Sequence, residues 1–280
     1  MTERDIPRDN ADKASSAAGV DSQRRHAMLL GAGSTLLSVV AGFLPGTARA
    51  AGDSAPTDDS ATGAAPPSAA AVGSRVVPTS EEPLHHVVMQ NSQIRVMRVM
   101  IRPGESTMWH AQNLTFVNTI INGSRSFIQR KGEGAGKVVE MVTGSVRFGD
   151  YQTAGIVDQV SNIGNALIHQ VAFEVIALER GNYGNADRSG LSGFSLVLDK
   201  ARVRGWRVRL QPGEIAAPYR QFGPGLRVVL SGERLIEQSP GDIGKQTTLH
   251  KGDAFFTEAG TRTLTNGGET PLEMMEYELL

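Results

Sequence analysis

The chain has 280 residues, with 28 lysines and arginines against 29 acidic residues and a formal charge of −1. That balance supplies no basic field for nucleic acid, and the absence of cysteine excludes a disulfide framework and thiolate chemistry. The length suits about two domains.

Residues 1–50 read as an export signal. A polar lead ends in Gln23, Arg24 and Arg25, an apolar run follows from Ala27 to Leu44, and Ala48-Arg49-Ala50 offers a small-residue cleavage site, with the mature chain expected to begin at Ala51. The paired arginines and the glycine-diluted apolar run resemble a twin-arginine signal, which carries folded proteins across a membrane. That family places Ser or Thr before the arginines and Phe-Leu after them, where this chain has Gln23 and Ala27-Met28. Periplasmic or secreted protein is the expectation. An uncleaved anchor is the alternative, because the apolar run is near the lower limit for spanning, and the signal is the only membrane contact expected. Residues 51–82, rich in Ala, Ser, Gly, Pro, Thr and Asp, are expected to form a disordered linker.

Two copies of one unit follow, expected at 83–180 and 190–280. Pro103-Gly104-Glu105 returns as Pro212-Gly213-Glu214, and Asn122-Gly123 as Ser231-Gly232, with one offset throughout (213 − 104 = 109; 232 − 123 = 109). The same offset pairs Arg95 with Arg204 and Arg98 with Arg207. Further on it falls to 104, pairing Asn162 with Asn266 and Gly164 with Gly268. Alternation of Met97, Val99 and Ile101 with polar neighbours, matched by Trp206, Val208 and Leu210, predicts strands with one buried face. Gly-Pro punctuation and the lack of any long helical period predict an all-β chain of two small sandwiches or barrels.

These spacings resemble the cupin superfamily. Its first motif falls on Gly104, His110, Gln112, Phe116 and Gly123 in copy one, and on Gly213, Tyr219, Gln221, Gly225 and Gly232 in copy two. Its second motif meets Asp158 with Asn162, and Arg262 with Asn266. The resemblance implies two tandem cupin-type (jelly-roll-like) antiparallel β-barrels. It also implies four metal-ligand places, which here read His110, Gln112, Phe116, Asp158 and Tyr219, Gln221, Gly225, Arg262. A phenol, an amide and a cation make a poor ligand set, so no metal or other cofactor is expected, least of all in copy two.

The candidate ligand-binding residues are His110, Gln112, Asn118, Asp158 and His169 in copy one, and Tyr219, Gln221, Arg227, Arg262 and Glu273 in copy two. His169 and Glu273 are included because the apolar face of the last strand in each copy is taken to point into the barrel. Plainer roles stand beside these: His110 as a structural histidine, Gln112 and Gln221 as rim residues bonded to backbone or water, Arg262 paired with Glu273, Trp109 and Trp206 as packing residues, and His85, His86 and His250 on the surface. The favoured function is an exported bicupin that binds a small polar, anionic ligand such as a carboxylate or sugar acid without a metal. Copy two is expected to bind the anionic group, through Tyr219, Gln221 and Arg262 with Arg227 nearby, and to hold the larger cavity, because Gly225 stands where copy one has Phe116. The alternatives are a metal-independent isomerase, epimerase or lyase, with His110 and Asp158 as candidate catalytic residues or Tyr219 with Arg262 holding a carboxylate. A dioxygenase-like metal enzyme and a ligand-free structural module complete the set. The partners expected are a small molecule and a second copy in a homodimer, with no nucleic acid.

Replacing Arg24 and Arg25 together with lysine should leave uncleaved precursor in the cytoplasm, read by fractionation and immunoblot. Unchanged export would remove the twin-arginine assignment.

Overall fold

The computed structural model describes residues 75–184 and 187–280. The export signal and most of the expected linker lie outside the described residues. In the first copy the strands are β1 (Val76–Pro78), β2 (His85–Gln90), β3 (Ile94–Ile101), β4 (Trp109–Gln112), β5 (Thr115–Asn122), β6 (Arg125–Arg130), β7 (Lys137–Glu140), β8 (Val146–Asp150), β9 (Ile156–Asn162) and β10 (Ile168–Val175). The second copy has β11 (Phe194–Asp199), β12 (Val203–Leu210), β13 (Tyr219–Gln221), β14 (Gly225–Ser231), β15 (Arg234–Gln238), β16 (Lys245–Thr248), β17 (Ala254–Thr257), β18 (Gly260–Asn266) and β19 (Leu272–Leu279). One short 3-10 turn, Thr79–Glu81, is the only helical element among the described residues.

Each copy folds two sheets over a core. One sheet runs β2-β3-β10-β5-β8 and its counterpart β11-β12-β19-β14-β17. The other runs β4-β9-β6-β7, with β1 added at its edge, and its counterpart β13-β18-β15-β16. The matching orders are the structural expression of the sequence repeat. Gly104 and Gly213 take the same left-handed conformation, φ 81° and 75°, in the Pro-Gly turns. Asn162 and Asn266 do equivalent work: each side chain donates to two carbonyls, Ile101 and Ala166 in one copy and Leu210 and Thr270 in the other, at 2.8 to 3.0 Å.

Three apolar clusters hold the unit. Val99, Ile101, Ile120, Met141, Ile168 and Ala172 fill the first sandwich, and Val208, Leu210, Tyr219, Val229, Leu264 and Met274 are among those that fill the second. The third joins the copies back to back. Ile94, Val96, Val117, Val171, Phe173 and Val175 meet Leu226, Val228, Met275, Tyr277 and Leu279 between the two five-stranded sheets. There Phe173 and Tyr277 pack at 5.1 Å between ring centroids, and the buried Tyr277 hydroxyl shares a 2.7 Å hydrogen bond with Thr119. Each such side chain removed from water contributes about 1.5–3 kcal/mol.

Two expectations are corrected here. The linker was expected to reach residue 82, but residues 75–82 belong to the first barrel. Val77 and Thr79 are buried, and β1 runs parallel to β4 in the register Val77 to His110. The buried Glu82 carboxylate accepts the N–H groups of Leu84 at 2.7 Å and Met108 at 3.0 Å. The valines and the buried carboxylate give this segment the core and the bonds that the Ala/Ser/Pro composition upstream lacks. Gly225, expected to leave room in copy two, leaves none: a β-carbon built there would lie 1.9 Å from the Tyr277 carbonyl oxygen.

Gly225→Ala should therefore lower unfolding free energy by at least the roughly 1–3 kcal/mol typical of overpacking, measured by urea titration. A neutral substitution would show that the strand has slack at this point.

Candidate functional site

Strand parity decides which side chains enter each barrel. Along β10, Ile168 and Ala172 belong to the inner core of copy one, while Val171, Phe173 and Val175 belong to the cluster between copies. Gln170 and Glu174 therefore face inward. His169 is on the wrong face for the barrel and packs beside Gly252 of copy two. The same parity along β19 sends Glu276 and Glu278 inward, with Leu272 and Met274. Glu273 faces outward and pairs with Arg207 at 3.4 Å and Arg209 at 3.2 Å. The more apolar face of each last strand is the one between the copies, not the barrel lining, so His169 and Glu273 are both corrected.

In the first barrel a cavity of about 330 Å³ lies among His110, Gln112, Phe116, Asn118, Asp158 and Gln170, with Arg130, Lys137, Arg147 and Tyr151 further out. β4 and β9 set His110 directly opposite Asp158, and Nε2 of the ring meets the carboxylate at 3.0 Å. The other ring nitrogen, Nδ1, meets the Met108 carbonyl at 3.0 Å. Gln112 donates Nε2 to both oxygens of Asp158, at 3.1 and 3.2 Å. Beside them Asn118 donates to Gln170 Oε1, and Gln170 donates to the Met141 sulfur at 3.0 Å. Both amide groups are thereby oriented, and Gln112 Oε1 and Asn118 Oδ1 are left buried without a partner among the described residues.

His85, taken from sequence as a surface residue, is buried on this floor. Its ring meets that of His110 edge to face, with centroids 4.7 Å apart, and Nδ1 lies 3.1 Å from the Thr79 carbonyl. Burial and the neighbouring His110 push its pKa from 6.5 down to about 3. Burial also works against the His110 cation, but the hydrogen bond and charge of Asp158 outweigh it, and the pKa of His110 lies above the ordinary imidazole value. Burial likewise pushes the Tyr151 phenol up, against the opposing charge of Arg130.

The second barrel is filled. Arg262, opposite Tyr219 across β13 and β18, pairs with Glu237 at 3.5 Å and donates to the Glu258 carbonyl, so the expected pairing with Glu273 is replaced. Arg227 bridges Glu276 at 2.5 Å and Glu237 at 2.7 Å. Gln221 is buried rather than on the rim, and donates to Gly223 O at 2.9 Å and Thr257 Oγ1 at 3.0 Å. Arg188, from the connection between copies, donates to Glu278 at 2.7 Å. Three guanidinium groups, from Arg188, Arg227 and Arg262, thus meet three carboxylates, from Glu237, Glu276 and Glu278. The charge that copy two was expected to offer an anion is already neutralised. Trp206 is fully buried and is both packing and platform, with the Arg188 cation 4.2 Å from its ring centroid.

Sequence reasoning missed His85, Arg130, Arg147 and Tyr151 in copy one and Arg188, Glu276 and Glu278 in copy two. The repeat held a signal for one of them: the offset of 109 puts His85 on the place of Phe194, whose ring stands edge to face on Tyr219 at 4.9 Å. The others lie outside the motif: Tyr151 and Arg188 between strands, Arg147 on the edge strand β8, Arg130 at the end of β6, and Glu276 and Glu278 on the central strand β19.

With the geometry in hand, the class is a double-barrel all-β protein, and comparison with solved structures makes it more definite. An oxalate decarboxylase described for its substrate binding mode and a switch in reaction specificity matches at TM-score 0.51 and 9% identity, over 69% of this chain and 71% of that one. A variant of oxalate decarboxylase from Bacillus subtilis matches at 0.50 and 9%, over 69% and 71%. A cupin 2 conserved barrel domain protein from Leptotrichia buccalis matches at 0.45 and 12%, over 70% and 88%. No sequence-family profile and no curated protein matches. The chain has the cupin fold, in two tandem copies.

Titration of the two histidines separates by sign. His85 is neutral when folded and its pKa is lowered, so its contribution to stability is full above about 6.5 and is lost as pH falls toward 3. His110, raised, contributes fully below about 6.5 and loses that contribution as pH rises through its folded value. His85→Phe, which copies the ring of Phe194, should flatten the fall in melting temperature between about pH 6.5 and 4. Identical acid slopes for the variant and the wild type would clear His85.

Proposed function

We propose that the protein is an exported bicupin that binds a small, hydroxylated carboxylate, of the hydroxy-acid or sugar-acid kind, in the first barrel and without a metal. The observation that carries this reading is the cavity's uneven polarity. Its floor presents the unpaired acceptor oxygens of Gln112 and Asn118 beside the Asp158 carboxylate, and these ask for donors such as hydroxyl groups. Further out stand Arg130, Lys137 and Arg147 against one acid, Glu133, a surplus of cations suited to a carboxylate. The His110 ring, 3.0 Å from the Asp158 carboxylate, offsets that charge when protonated, which favours hydroxyl over ammonium donors.

The donor set supports the absence of a metal. Among the described residues no group of three His, Cys, Asp or Glu side chains could hold a metal ion. His110 has both ring nitrogens engaged, Gln112 turns its NH₂ toward Asp158, and Phe116 offers nothing, so the four places do not fit a divalent cation. The same engagement favours binding over proton transfer, because His110 has no free nitrogen to offer a substrate. Export rests on Arg24, Arg25 and the Ala48-Arg49-Ala50 site. Association of two chains through the edge strands β2 and β11 is part of this reading, supported by exposed Val87, Val88, Leu196 and Val197.

Calorimetric titration of the mature chain with hydroxy acids, sugar acids and simple monocarboxylates tests it. One site per chain is expected, with hydroxylated acids preferred and chelators without effect. Arg147→Ala should weaken binding by about 10- to 100-fold, the equivalent of one charge-assisted hydrogen bond of roughly 1.5–3 kcal/mol. Arg262→Ala should leave affinity unchanged if it folds. Binding lost on chelation, or lost in Arg262→Ala and kept in Arg147→Ala, would reject the reading.

A further inference from the structure

Arg188 is a fully buried cation that no catalytic or binding role yet explains, and its surroundings are those of a recognition site. Its guanidinium carbon lies 4.2 Å from the ring centroid of Trp206, 4.2 Å from that of Tyr219 and 5.7 Å from that of Phe194. One nitrogen donates to Glu278 at 2.7 Å, while Nε and Nη1 have no hydrogen-bond partner among the described residues. Glu278 is itself held in place by the N–H groups of Phe222 at 2.6 Å and Gly223 at 3.0 Å. A flat cation between two aromatic faces, with one fixed carboxylate, is how proteins select guanidinium over a compact ammonium ion. An ordinary core position would be filled more cheaply by an aliphatic side chain.

The repeat shows that this cation is an addition to the barrel rather than part of its common frame. At the offset of 109, Arg188 falls on Thr79, Phe194 on His85 and Tyr219 on His110, and at 104 Glu278 falls on Glu174. In the first barrel the Thr79 hydroxyl donates to the Ala111 carbonyl at 2.7 Å, and no side chain from that place enters. The first barrel keeps a cavity, whereas in the second the Arg188 side chain lies against Trp206 and Tyr219.

We propose that the second barrel is a guanidinium-binding site whose ligand is built into the chain: Arg188 is a tethered occupant, and the site takes a free alkylguanidinium cation when that side chain is removed. The intact chain then holds one exchangeable ligand, in the first barrel, and one permanent ligand, in the second. This stands independently of what the first barrel binds.

The test uses the mature chain, its Arg188→Ala variant and an Arg188→Met variant that refills the box with an aliphatic side chain. Melting temperature and tryptophan fluorescence are followed during titration with millimolar methylguanidinium, methylammonium or sodium chloride. Arg188→Ala should melt several degrees below wild type, and methylguanidinium should restore at least half of that loss saturably. Methylammonium should restore less and sodium chloride nothing, and neither wild type nor Arg188→Met should respond. If Arg188→Ala does not fold alone, it is refolded with and without methylguanidinium, and folding only with the cation supports the proposal. The absence of saturable recovery, failure to fold in either condition, or equal recovery with methylammonium or in Arg188→Met would overturn it.

Discussion

The stacking of the two five-stranded sheets is the constraint on which the rest depends. Val171, Phe173 and Val175 on β10 and Met275, Tyr277 and Leu279 on β19 are buried against the opposite copy. Because side chains alternate along a strand, committing those faces to the contact between copies commits Gln170, Glu174, Glu276 and Glu278 to the barrel interiors. A pleated strand cannot be rotated to improve one site without exposing the apolar face on its other side. The polar contents of both barrels are thus set by the apolar interface between the copies.

How a barrel then carries polar residues differs between copies. In the first, carboxylate, imidazole and amides form relays that end in unpaired oxygens, and space remains beside them. In the second, buried charges occur in pairs, as the high cost of an isolated buried charge requires, and the side chains that pair them also fill the volume. One fold thereby supports an open polar pocket and a closed ionic core, and the difference follows from a few positions. Thr79 against Arg188, His110 against Tyr219, Asn118 against Arg227, Asp158 against Arg262 and Ala172 against Glu276 are among them.

Much of the frame was legible in the sequence. The constant offset between copies, the Pro-Gly turns at Gly104 and Gly213 and the paired Asn162 and Asn266 are local, and local chemistry leaves a local record. The opposition of His110 to Asp158 and of Tyr219 to Arg262 follows from the motif spacing and is what β4–β9 and β13–β18 build. His169 and Glu273 were misplaced for a different reason. An apolar strand face shows that something covers it, but the sequence does not distinguish the opposite sheet of the same barrel from a neighbouring barrel. Arg188 was invisible because a side chain that enters a core from a connection carries no periodic signature.

The parallel strand β1 extends the first unit beyond the edge of the repeat. Glu82 caps the N–H groups of Leu84 and Met108, and Thr79 offers its carbonyl to His85 and its hydroxyl to Ala111. Thr79 and Glu82 lie outside the span that the duplicated motif defines, yet their contacts to Met108 and Ala111 brace the floor of the open pocket. A transplantable version of this module therefore includes β1 from Val76, some seven residues before the boundary at 83 that the motif suggests. Cut at that boundary, it would carry the pocket's walls without the latch that holds its floor.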